Sequence, residues 1–88
     1  MSEPLDRVAA IRGRLTAALN PHILEITDES HLHAGHAGAR DGRGHFHVRI
    51  ASTRFANLNR LAQHRLVYEA LGDLMTTDIH AVRISSAT

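Results

Sequence analysis

His45-Phe46-His47-Val48-Arg49-Ile50-Ala51 alternates without a break, with Phe46, Val48 and Ile50 on one parity and His45, His47 and Arg49 on the other. Alternation with period two is the signature of a half-buried strand. A strand that is apolar on one face and polar on the other belongs to a sheet covered on one side only. The pattern therefore predicts that His45, His47 and Arg49 face away from the core. Immediately upstream, the run from Asp28-Glu29-Ser30 through His31-Leu32-His33-Ala34-Gly35-His36 to Gly44 has no periodicity and is rich in Gly and His. It reads as a loop of roughly fifteen residues, far longer than an ordinary hairpin connection of ~2–5, and loops of that length in small domains are usually functional or disordered.

Further upstream, His22 to Asp28 alternates again, with Leu24 and Ile26 on one face and Ile23, Glu25 and Thr27 on the other. This is the first strand. Before it, Leu5, Val8, Ile11, Leu15, Ala18 and Leu19 recur at three- and four-residue steps, the spacing of an amphipathic helix. Ser2 is the expected N-cap and Pro4 suits the first turn. The helix is expected to stop at Asn20-Pro21, because Pro21 lacks an amide hydrogen and disfavours helical geometry at Asn20.

Downstream of the central strand, Ser52 to Asn57 reads as a turn anchored by Phe55. From Leu58 to Met75 the period becomes helical, with Leu61, His64, Val67/Tyr68, Leu71 and Leu74/Met75 in one stripe. His64 lies within that stripe and is read as structural, its ring satisfying a nearby backbone group. Thr76-Thr77-Asp78 closes the helix, and Ile79 to Ser85 forms the last strand, with His80, Val82 and Ile84 on one parity. The order is helix, strand, strand, helix, strand. Residues 1–88 are expected to form a single α+β domain with a three-stranded sheet.

Topology brings distant residues together. Strands joined by a crossover helix are parallel if they share a sheet, so the second and third strands start at the same edge. The His-rich loop delivers the chain to that edge, and His80 opens the last strand there. Two imidazoles at an exposed rim could hold a metal with open positions for another molecule. Plainer readings compete with this one. A histidine at the start of a strand often only hydrogen-bonds a helix end, and His-rich loops bind divalent ions weakly without purpose.

Composition bounds the chemistry. The chain has 88 residues and no cysteine, so it offers neither disulfides nor thiolate ligands. Its start lacks the basic and apolar regions of a secretory signal, and no apolar run approaches the ~18 residues of a membrane span. A cytoplasmic protein is expected. Ten arginines are scattered among nine acids for a net charge of +1, so no basic stripe announces nucleic acid. Eight histidines are the compositional outlier. Ser30 has neighbouring histidines, but the sequence places no acid or oxyanion donor that would make a hydrolase.

In order and at matching spacing, Asp28-Glu29-Ser30 with His33, His45-Phe46, Phe55, His64-Arg65 with Val67-Tyr68, and Ile79-His80-Ala81 resemble the motif series of BolA-like proteins. The likeness runs from about residue 5 to 86. The His-Ala-Gly-His of residues 33–36 resembles the BolA1-type subgroup, which carries a histidine in this loop where other members use cysteine. Gln63 departs from the pattern, standing where an Arg commonly precedes the His-Arg pair.

The resemblance implies a type II KH-like fold, a three-stranded mixed sheet covered on one face by helices. It implies a non-enzymatic protein, monomeric alone, that forms a heterodimer with monothiol glutaredoxins of the Cys-Gly-Phe-Ser type. In that family a [2Fe-2S] cluster is shared with the glutaredoxin cysteine and a glutathione thiol on one iron, while two histidines hold the other iron. Those positions correspond here to His33 and His80, with His31 and His36 as further loop ligands to weigh. The family's roles lie in iron-sulfur trafficking and in iron or redox regulation. Some bacterial members are DNA-binding transcriptional regulators of morphology and stress, a reading that would use Arg54, Arg60 and Arg65 to meet phosphates. A third reading is a standalone His-rich metal binder.

Overall fold

The computed structural model describes residues 6–30 and 44–88. The first helix, α1 (Arg7–Leu19), buries Ile11, Leu15 and Leu19. Its N-cap is Asp6, whose carboxylate accepts a hydrogen bond from the Ala9 amide, rather than Ser2, which lies outside the described residues. The helix ends at Asn20, which takes a left-handed conformation (φ 44°, ψ 56°) just before Pro21. That agrees with the stop signal read in the sequence, since Asn tolerates this region and Pro21 bars continued helix.

β1 (Ile23–Asp28) pairs antiparallel with β2 (Gly44–Ala51), and β2 pairs parallel with β3 (Ile79–Ala87). The sheet order is β1-β2-β3, so the strand that begins with His45-Phe46 is central. Between β2 and β3 lie a short 3-10 turn (Thr53–Phe55), α2 (Arg60–Leu71) and α3 (Leu74–Thr77). Phe55 is fully buried, as an anchor should be. Ser52 is buried beside it, and its hydroxyl donates to the Leu19 carbonyl (2.6 Å) while accepting from the Arg54 amide. One serine thus ties the end of α1 to the exit of β2.

The long helix expected over 58–75 is broken in two. α2 ends at Gly72, which adopts a positive φ of 54°, and α3 is a separate single turn. A distant residue supports the break: Arg14 of α1 donates to the Leu71 carbonyl (3.0 Å) and pairs with Asp73 (2.8 Å), capping α2 from outside. The stripe also shifts. Val67, Leu71 and Leu74 are buried, but Leu61 is 61% exposed and Tyr68 42% exposed, so these two leave the predicted core face.

The core lies between the helices and one face of the sheet, and includes Phe46, Val48 and Ile50 of β2 together with Ile79. Val82 and Ile84 pack against its edge. The opposite face carries polar pairs: Glu25 with Arg49 (3.0 Å) and His47 Nε2 with Ser85 Oγ (2.9 Å). This matches the one-sided sheet read from the alternation, with one correction. His45 shares the outer parity with His47 and Arg49 yet is only 8% exposed.

A second correction concerns β3, which runs two residues beyond the expected end at Ser85 and contains an irregularity at its start. Gly44 pairs with Ile79 and His45 pairs with Ala81, so His80 is an extra residue in β3. A bulge of this kind resets the parity of the strand. It is why Ile79 and Val82, three apart, both turn inward, and why His80 does not share the inward face of Val82 and Ile84.

Candidate metal centre

The starts of β2 and β3 and the end of β1 meet at one rim of the sheet. Three hydrogen bonds seal it. The Glu29 amide donates to the His45 carbonyl (2.7 Å), the Gly44 amide donates to the Asp78 carbonyl (2.9 Å), and the His45 amide donates to Ser30 Oγ (3.0 Å). The Ser30 amide in turn donates to Asp28 Oδ1 (2.9 Å), a local Asx turn that ends β1. The Asp-Glu-Ser signal read as a strand terminus acts as one, and each of its members has a bond to account for it.

Glu29 also reaches across the sheet. Its carboxylate accepts two hydrogen bonds from Arg83 of β3 (2.8 and 3.2 Å), and the pairing raises the already high pKa of Arg83. Because β2 lies between β1 and β3, this bidentate clasp spans the central strand on the polar face. Charge-assisted forks of this geometry fix orientation as well as charge.

At this rim His80 is exposed, on the bulge, and its ring centroid lies 5.0 Å from that of His45 with the planes tilted by 49°. Topology predicted that His80 would open its strand beside the loop carrying His31, His33 and His36; of that neighbourhood the described residues include the flanking Ser30 and Gly44, which bond to His45 and Asp78. His31, His33 and His36 lie outside the described residues. Sequence reasoning did not find His45. Its signal was present only as a histidine directly before Phe46 at a strand start, and simple alternation pointed it to solvent.

The chain has no thiol, so at the rim it offers imidazole nitrogen and carboxylate oxygen but no sulfur. An exposed imidazole there suits a soft or borderline metal that takes its remaining ligands from elsewhere. Among the described residues, no group of three or more His, Cys, Asp or Glu side chains could hold a metal ion.

The other predicted positions sit far from this rim in the sequence and on different elements. Arg54 lies in the 3-10 turn, and Arg60 and Arg65 lie on α2, all three exposed and without an ion pair among the described residues. At 3.6 residues per turn, Arg60 and Arg65 are about 140° apart around the helix, so α2 does not present them as one stripe. His64 is half-buried, as a structural role requires, but its Nε2 is shielded and has no hydrogen-bond partner among the described residues, so the expected backbone contact is not made through that atom. His64 lines a cleft of about 370 Å³ with Arg60, Ile84, Ser85 and Ser86. Gln63, the departure from the family pattern, donates to the carbonyls of Phe55 (3.2 Å) and Leu58 (2.9 Å) and accepts from Ser86 Oγ (2.6 Å). It ties the turn and α2 to the end of β3.

Comparison with known proteins points one way. Residues 15–88 match the profile of the family described as BolA-like protein. The chain is 42% identical over 80 residues to BolA-like protein 1 of Mus musculus, an alignment covering 91% of this chain and 56% of the mouse protein. It is 36% identical over 78 residues to the DNA-binding transcriptional regulator BolA of Escherichia coli (strain K12), covering 89% of this chain and 71% of that protein. The chain spans little more than half the length of its mouse and bovine relatives. Among solved structures, the BolA domain of SufE1 from Arabidopsis thaliana superposes with a TM-score of 0.83 at 35% identity, over 98% of this chain and 95% of that domain. With its mixed three-stranded sheet, its helices on one face and a profile match over most of its length, the chain belongs to the BolA-like family.

Proposed function

We propose that the chain is a non-enzymatic partner of monothiol glutaredoxins and co-ligates a [2Fe-2S] cluster through His80 and His33, in iron-sulfur trafficking or in iron and redox regulation. The observation that carries this reading is the placement of His80. It is exposed on an outward bulge, between strands whose starts hold both flanks of the His-rich segment. Ser30, at one flank, is hydrogen-bonded to His45, whose ring lies against His80. Among the loop histidines it is the family resemblance that favours His33 over His31 and His36.

The donor set supports the same reading. A chain that offers no sulfur needs a partner that supplies it, here the glutaredoxin cysteine and glutathione. Two imidazoles on one iron raise the reduction potential of a [2Fe-2S] centre relative to four thiolates, and ligation by neutral imidazole makes binding proton-linked. A monomer that becomes a heterodimer on sharing the cluster, and a cytoplasmic setting, are parts of the same proposal.

The test is optical. Mixing the chain with cluster-loaded monothiol glutaredoxin is expected to change the visible absorption and circular dichroism, and His80→Ala is expected to abolish the change. An unaltered response in the variant would remove His80 from the site.

A second reading is a DNA-binding regulator. It is favoured by the similarity to the regulator from Escherichia coli and by Arg54, Arg60 and Arg65, which are exposed and have no ion pair among the described residues. Phosphate contacts by these residues would release counterions, so affinity must fall steeply with salt, with each arginine lost reducing the logarithmic slope by about 0.9. Absent or salt-insensitive binding to duplex DNA would dispose of it.

A further inference from the structure

We infer that the chain self-associates through the open edge of β3: a second copy adds its own β3 antiparallel across a twofold axis, the sheet runs on from one copy into the other, and the two α2 helices pack together. In the reading above the chain meets its glutaredoxin as a monomer. The dimer is the competing state, populated as the chain grows concentrated.

The two edges of the sheet differ. β1 is six residues long, and Arg12 of α1 reaches its edge to donate to the Leu24 carbonyl (3.4 Å). β3 is nine residues long and holds neither Pro nor Lys, and from Val82 to Ser86 no described residue hydrogen-bonds to its outer side. A row of open N–H and C=O groups is a template for another strand, which is why natural sheets blunt or cover their edges.

The groups concerned can be named. The Ala87 carbonyl accepts from the Ser52 amide (3.1 Å), so the peptide groups of Ala87 face β2. Pairing is regular from His45 with Ala81 to Ala51 with Ala87, and peptide groups alternate along a strand, so Val82, Ile84 and Ser86 aim theirs outward. An antiparallel copy centred on Ile84 matches outward residues with outward residues, Ile84 opposite Ile84 and Val82 opposite Ser86.

The helix above supplies the rest. Arg60 and His64 line a cleft with Ile84, Ser85 and Ser86, so that flank of α2 looks down on β3. At about 100° per residue, Tyr68 and Leu61 lie roughly 40° and 60° further round than His64, away from the buried Val67 and Leu71. They are two of the three large apolar side chains left exposed among the described residues. A strand added beside β3 runs beneath this flank and gives it cover.

The second copy brings a matching flank of its own. In a twofold contact the same patch meets itself, so Leu61 and Tyr68 of one helix pack against Tyr68 and Leu61 of the other. Arg65 and Glu69 follow on the outer side of α2, both exposed and without an ion pair among the described residues. Antiparallel helices set each Arg65 within a turn of the other copy's Glu69. A patch with one cation, one anion and two apolar groups is complementary to itself, which selects a second copy over a strongly acidic or basic partner.

The test uses the chain alone, without glutaredoxin or cluster, so its outcome is independent of the cluster reading. Sedimentation equilibrium from micromolar to millimolar concentration is expected to show the mass rising from 9.7 kDa toward twice that value. Amide exchange is expected to show Val82, Ile84 and Ser86 gaining protection only at the high end, with Ala81, Arg83 and Ser85 protected throughout. Leu61→Glu, at an exposed site that the fold tolerates, is expected to abolish association. Arg65→Glu and Glu69→Arg are each expected to weaken it about tenfold, and an equimolar mixture of the two to restore it, because each variant then meets the opposite charge. A single-chain mass up to millimolar concentration would overturn the inference. So would a dimer indifferent to Leu61→Glu, a mixture no tighter than its components, or Val82, Ile84 and Ser86 amides already protected in the monomer.

Discussion

Gly44 is a glycine for a reason visible only in three dimensions. It opens β2 where the Phe46 ring and Ser30 Oγ close in, leaving no room for a methyl group. Gly44→Ala should therefore push the Phe46 ring or the Ser30 contact aside and destabilise the fold by about 1–3 kcal/mol, measurable by chemical denaturation. Asp78, whose carbonyl accepts from the Gly44 amide, reports on the same rim through its titration. The Thr77 hydroxyl donates to its carboxylate (2.6 Å) and the Arg7 guanidinium approaches from α1 (3.2 Å), and together they hold its pKa below the ordinary value of 3.8 despite the opposing effect of burial. A carboxyl whose folded pKa is depressed stabilises the native state above its unfolded pKa and loses that contribution as the pH falls through the folded value. Asp78→Asn should lower the melting temperature at neutral pH, and its gap to the wild type should close as the solution is acidified below the usual carboxylate range.

At the scale of elements, the break between α2 and α3 is a junction set by α1. Gly72 holds a positive φ, and a Cβ there would lie 3.1 Å from the Arg14 guanidinium that caps Leu71. Gly72→Ala should cost about 1–3 kcal/mol through backbone strain, with the loss seen as a lower denaturation midpoint and a less protected α2 C-terminus in hydrogen exchange. This junction also shows what the sequence conceals. The periodicity of Leu58 to Met75 is continuous enough to read as one helix; Gly72 is a local stop signal that the stripe overrode, and the arginine 57 positions upstream from Leu71 that caps the helix is visible only in the fold. The strands were legible because their alternation is enforced by a single covered face. The parallel pairing of β2 with β3 followed from the crossover, and with it the place of His80 at the rim. The bulge was not legible: Ile79 and Val82 are both apolar, and only the register reveals that His80 is the extra residue between them. His45 was misplaced for a related reason, since alternation specifies a face but not how deeply a side chain is covered on it.

For the whole molecule, the core lies on one face of the sheet and the candidate chemistry at one end, so the two are separable. His80 is exposed and contributes nothing to the buried cluster. His80→Ala should therefore melt within about 0.5 kcal/mol of the wild type, as surface substitutions do, while losing the cluster. That separation distinguishes a ligand from a structural histidine. The most direct measurement is pulsed electron paramagnetic resonance on the reduced heterodimer with monothiol glutaredoxin, with this chain alone labelled in 15N-histidine. The account predicts hyperfine coupling to two histidine nitrogens of this chain, one of them lost in His80→Ala. A reduced cluster that shows no coupling to nitrogen from this chain would contradict it.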